Sequence, residues 1–77
     1  MNEAEIRALI QGGLPGCDVE IVVDGNKIGL RIAGEVFEGM PRVKRQQLVY
    51  GLLGEKISSG EIHAVSMKCV ATSEQGS

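Results

Sequence analysis

The sequence predicts an α+β domain, one sheet with helices packed on it, in the order α-β-β-α-α-β. Three observations lead there. Apolar residues recur with a period of two on both sides of a tight turn at Asp24-Gly25-Asn26, the pattern of a β-hairpin. A second period-two run covers 62–70, near the C-terminal end. Before the hairpin, and between it and the last run, apolar residues fall at helical spacing. With 77 residues there is room for one core only, so any functional residue lies on the surface of a single small unit.

Asn2 followed three residues later by Glu5 resembles a capping box, and Ile6, Leu9 and Ile10 then recur as on a helix until Gly12-Gly13 ends the run. Leu14-Pro15-Gly16 is a turn, since Pro fixes φ and Gly tolerates positive φ. Over 17–23 the apolar positions Cys17, Val19, Ile21 and Val23 enclose Asp18 and Glu20, as in a half-buried strand. Ile28, Leu30 and Ile32 then alternate with Lys27, Gly29 and Arg31, so a second strand returns antiparallel to the first. Residues 33–40 connect to the next helix, with Phe37 as their anchor onto the core. Pro41 suits a first helical turn, and that helix runs to about Leu53. Val43, Gln47 and Tyr50 share one of its stripes, and Gln46, Val49 and Leu53 an adjoining one. Residues 55–59 add a short helical turn closed by Gly60. The last strand, 62–70, places His63, Val65, Met67 and Cys69 on one face and Ile62, Ala64, Ser66, Lys68 and Val70 on the other. The domain therefore spans 1–70, and the small, polar residues 71–77 are expected to form a disordered tail.

Composition removes several functions. A net charge of −2 gives no global attraction to nucleic acid. One Phe, one Tyr and no Trp leave no aromatic platform for stacking single-stranded bases. No apolar run approaches the roughly 20 residues that span a bilayer, and the acidic N-terminus lacks a signal-peptide core, so we expect a cytoplasmic protein without membrane contact. In that compartment Cys17 and Cys69 are expected to stay reduced, and free cysteine usually packs as a small hydrophobe. No oriented nucleophile and base can be traced among one His and scattered acids, so enzyme activity is not expected.

Arg42, Lys44 and Arg45 break a local rule. The start of a helix favours Asp or Glu, yet three cations stand there. Such a conflict reads either as a solvated helix start or as a patch for an anion or acidic partner, for which Arg offers a forked donor pair. Lys68, on the face of the last strand shared with Ser66, joins them as a candidate for partner or nucleic-acid binding. His63 is the sole histidine, and a zinc site needs three or four protein ligands, so it could act on a metal only by sharing it with another protein. Gly51-Leu52-Leu53-Gly54 matches the GxxG of nucleic-acid-clamping KH loops, but with apolar residues where those loops are polar or basic.

The run FEGMPRVKRQQLVY at 37–50 and the run GEIHAVSMK at 60–68 resemble the BolA-like family, and the likeness extends more loosely over the first helix and hairpin. The resemblance implies a class II KH-like fold with a three-stranded mixed sheet. It further implies a non-enzymatic module that binds a monothiol glutaredoxin and shares a bridged [2Fe-2S] cluster, in iron-sulfur and redox homeostasis, with His63 as a ligand. The isolated chain would hold no cofactor and be a monomer, with a homodimer left open. Stress response and DNA-binding transcription regulation are also ascribed to the family, the latter with the basic start of the second long helix against the duplex. The family usually supplies a second ligand, His or Cys, from the loop between the first two strands. Here that loop is Asp24-Gly25-Asn26-Lys27, and protonated lysine has no lone pair for a metal. Three arrangements follow: His63 suffices beside the partner's ligands, Cys17 stands in, or glutaredoxin binds without a shared cluster. The acidic, Trp-bearing C-terminal segment usual in the family is replaced by TSEQGS at 72–77.

Overall fold

A computed structural model describes residues 2–74. The elements are α1 (Glu3–Gly13), β1 (Asp18–Asp24), β2 (Lys27–Ala33), α2 (Arg42–Leu52), α3 (Gly54–Ser58) and β3 (Ala64–Val70), with 3-10 turns at Glu35–Phe37 and Thr72–Glu74. The strands lie in the order β1-β2-β3, β1 antiparallel and β3 parallel to β2, so the sheet is mixed and both β1 and β3 are edges. A parallel neighbour needs a crossover, and α2 and α3 form it.

Asn2 caps α1 as expected, its Oδ1 accepting the Ala4 N–H at 2.8 Å. The reciprocal half of the capping box does not form. Glu5 instead binds Lys56 Nζ at 2.8 Å, because α3 brings a cation within its reach. Ile6 and Ile10 are buried, whereas Leu9 stays 39% exposed at the border of the apolar stripe. The hairpin closes between Asp24 and Lys27 with Gly25 at φ +62, where glycine's freedom at positive φ suits the first position of a type II′ turn.

Ile6, Ile10, Val19, Ile28, Leu30, Ile32, Phe37, Val49 and Leu53 meet in one core on the helical side of the sheet. Glu20, Val22, Arg31, Ser66 and Lys68 line the opposite, solvated face. Phe37 is the anchor the sequence suggested, with no exposed surface.

Pro41 is the N-cap of α2 rather than part of its first turn. Of the two stripes expected on this helix, the one through Val49 and Leu53 is buried, and Val43 and Tyr50 on the other face solvent. Arg45 heads the buried stripe, because 45, 49 and 53 repeat every four residues. The Gly51–Gly54 segment is a packing joint: Leu53 is fully buried, and the Leu52 side chain fills the space a Cβ on Gly13 would need.

β3 begins at Ala64, two residues later than expected, because Ile62 turns into the core with 2% exposure. The C-terminal boundary also moves. Ala71 is buried, Ser73 N–H and Oγ donate to Glu38 at 2.7 and 3.1 Å, and Glu74 pairs with Arg45. Residues 71–74 therefore pack on the fold that was expected to end at 70, and 75–77 of the expected disordered tail lie outside the described residues.

Candidate functional site

His63 sits exposed between Ile62 and the first residue of β3. Its main chain is held from both sides. The His63 N–H donates to Asn26 O in the hairpin turn at 2.7 Å, and the preceding Ile62 N–H donates to Lys56 O at 3.2 Å. Lys56 fixes the approach further, its Nζ bridging Glu5 at 2.8 Å and Glu61 at 3.0 Å while only 18% of its side chain is exposed. A solvent-facing imidazole on a fixed backbone results. Lys56 and Asn26 could not be recognised as its supports from the sequence, since both bonds depend on tertiary placement.

The parallel register sets Ala64 beside Lys27, so His63 and the hairpin turn are neighbours. The turn itself offers Gly25, Asn26 and Lys27, none a soft metal ligand. Cys17 is not placed to stand in. It precedes the row Asp18, Ala33, Val70 at the far end of the sheet, while His63 precedes the row Asp24, Lys27, Ala64. Six residues of strand separate these rows, roughly 20 Å. Cys17 is also buried, at 7% exposure, and that burial, with a smaller contribution from Asp18, pushes its thiol pKa up, away from the thiolate a metal requires. Among the described residues no group of three or more His, Cys, Asp or Glu is arranged to hold a metal. Of the candidate ligands, His63 is exposed beside the hairpin turn and Cys17 is buried at the other end of the sheet.

The basic residues divide. Arg42, Lys44 and Lys68 are exposed, but Arg45 has only 9% of its surface in solvent. Its Nε donates to Met40 O at 2.8 Å and its Nη1 to Cys69 O at 3.0 Å, and the guanidinium grips Glu74 through two bonds of 2.7 and 3.2 Å. It also lies 5.8 Å over the Phe37 ring. Arg45 is thus a structural tie and not part of a free basic patch. The hydrogen bonds from Arg45, and next from the Ala71 N–H, hold the Glu74 carboxyl at about 2.

A groove between the start of α2 and β3 gathers Arg42, Lys68 and Arg31, with Met67 and Cys69 along it. Arg31, opposite Lys68 in the β2–β3 register, was not singled out from the sequence, where the strand pairing is invisible. Lys44 does not line this groove.

Comparison with known proteins gives a consistent result. Residues 24–74 match the family described as BolA-like protein. The acid stress protein IbaG of Escherichia coli (strain K12) is 40% identical over 74 residues, covering 96% of this chain and 88% of that protein. Among solved structures, BolA1 from Arabidopsis thaliana has a TM-score of 0.84 at 32% identity, covering 94% of this chain and 93% of its own. The BolA domain of SufE1 from Arabidopsis thaliana has a TM-score of 0.86 at 26% identity, covering 96% and 98%.

Proposed function

The chain belongs to the BolA-like family, and on that premise we propose that it is a non-enzymatic module that docks a monothiol glutaredoxin and lends His63 to a shared [2Fe-2S] cluster. The observation that carries this reading is the exposed His63, the sole histidine, fixed through its own N–H to Asn26 and through Ile62 to α3. A ligand offered to a partner must be accessible and yet cost little to order, and this geometry meets both needs. With Lys27 in the adjacent turn and Cys17 at the far end of the sheet, this chain contributes one nitrogen and the partner the remaining ligands. A cluster so held would supply one-electron or iron-sulfur transfer chemistry, with imidazole in place of thiolate raising its potential. The name of the IbaG relative joins that protein to acid stress, and we place this module in stress response with it.

The test is a titration of the labelled full chain with a monothiol glutaredoxin, apo and cluster-loaded, followed by NMR. We expect the loaded partner to shift or broaden His63, Asn26 and Lys27. Saturable binding that leaves these three unmoved would contradict the proposal.

A further inference from the structure

The two edges of the sheet differ in what they leave open. Val70 O accepts the Gly34 N–H at 3.1 Å, so Val70, and by the period of two Lys68 and Ser66, turn their main-chain groups toward β2. Val65, Met67 and Cys69 turn theirs outward. The Cys69 carbonyl is taken by Arg45 Nη1, which closes that end of the edge. Among the described residues no hydrogen bond outside the β2–β3 ladder reaches the main chain of Val65 or Met67.

The charges beside this stretch come from both sides of the sheet. Arg42 belongs to the helical layer, and Lys68 and Arg31 stand in register on the solvated face. Arg45, deeper in the groove, already carries Glu74 as its counter-ion. An added strand would direct alternate side chains to these two sides, so carboxylates on either of its faces would meet a cation.

We propose that the open edge of β3 is a strand-addition site for an extended, acidic peptide segment of a partner protein. Main-chain bonds to Val65 and Met67 supply the attachment, and Arg42, Arg31 and Lys68 select for acidic side chains. The site does not depend on the reading of His63 as a cluster ligand. The edge of β1 is no equivalent: Arg7 Nη1 occupies the outward Val19 carbonyl at 2.8 Å, and Asp18, Glu20 and Asp24 would repel the same segment. Nucleic acid fits the groove less well, because Phe37 is buried and no aromatic residue lines it for base stacking.

The experiment titrates the full chain, labelled with nitrogen-15, with a blocked peptide of alternating Glu and Val or Thr. Controls are the same peptide N-methylated at every interior amide and a short single-stranded DNA. We expect saturable binding, exchange of the Val65 and Met67 amide protons slowed at least about tenfold, and loss of binding on N-methylation. Lys68→Glu should weaken binding about fivefold or more while leaving the unbound spectrum folded. Four results would overturn the proposal: no saturation at millimolar peptide, equal binding of the N-methylated peptide, tighter binding of the DNA, or binding without protection at Val65 and Met67. Protection that grows with protein concentration in the absence of peptide would assign the edge to a second copy of the chain and overturn it equally.

Discussion

Gly34 offers a sharp test of the packing at the far end of the sheet. Its φ of 179 is extended backbone that any residue adopts, so strain does not explain a glycine there. Space does: an added Cβ would overlap Cys17 Sγ and lie 3.3 Å from both Cys17 Cα and Cys17 Cβ. Gly34→Ala should therefore act by overpacking and destabilise by about 1–3 kcal/mol. In a domain of this size that lowers the melting temperature by about 4–8 °C per kcal/mol. Cys17→Ala removes the overlapping sulfur at the expense of some buried apolar volume, about 1 kcal/mol. In that background Gly34→Ala should cost less than about 1 kcal/mol, the residue left by the Cα and Cβ contacts. Urea unfolding of the wild type, both single variants and the double variant, with a common m-value, measures the difference. An equal cost of Gly34→Ala in both backgrounds would refute the argument. The Cys17→Ala variant also bears on function, because a cluster shared through His63 should keep its spectrum when this buried thiol is removed.

Three further outcomes follow from the basic residues. Arg45→Gln should lower the melting temperature by about 10 °C or more, since it strips bonds from Met40 O, Cys69 O and Glu74 together, whereas Lys44→Gln should change it by no more than about 3 °C; thermal circular dichroism distinguishes them. The Glu74 carboxyl is depressed in the folded state to about 2, so its contribution is present above its unfolded pKa and is lost as pH falls from about 4.5 toward 2. Wild type should accordingly lose its advantage over Glu74→Gln across that window in pH-dependent melting, and a constant difference down to pH 2 would contradict the assignment. With Arg45 withdrawn, duplex DNA could engage Arg42, Lys44 and Lys68 and, in register with Lys68, Arg31. The affinity measured by fluorescence anisotropy should then fall with salt at a logarithmic slope no steeper than about −3.6.

The local pattern revealed what depends on neighbours in the chain. Alternation at 17–23, 27–32 and 62–70 located three strands, and Phe37 stood out as the connector's anchor because large apolar residues seek burial. What it could not reveal depended on partners far along the chain. Arg45 looked like Arg42 and Lys44 because its counter-ion, Glu74, is 29 residues away, although its place four residues before Val49 on a buried stripe was a usable signal. The parallel register of β3 on β2 carried two outcomes that no spacing contains. It set His63 beside the hairpin turn, at the end of the sheet away from Cys17. The same register joined Arg31, which the sequence did not single out, to the candidate Lys68 and made the two one side of a groove. The fold beyond residue 70 was missed because small, polar residues suggest fraying, and their anchors, Glu38 and Arg45, come from other elements.

We propose that His63 is this chain's ligand to a cluster completed by a glutaredoxin. The most direct test is the visible circular dichroism and electron paramagnetic resonance of the complex reconstituted with wild type and with His63→Ala. Because His63 is exposed and its tie to the fold is through the main chain, the variant should keep its melting temperature and still bind the apo partner. The variant's cluster spectrum should revert to that of the glutaredoxin alone. A folded, partner-bound His63→Ala complex whose spectrum matches the wild-type complex would contradict it.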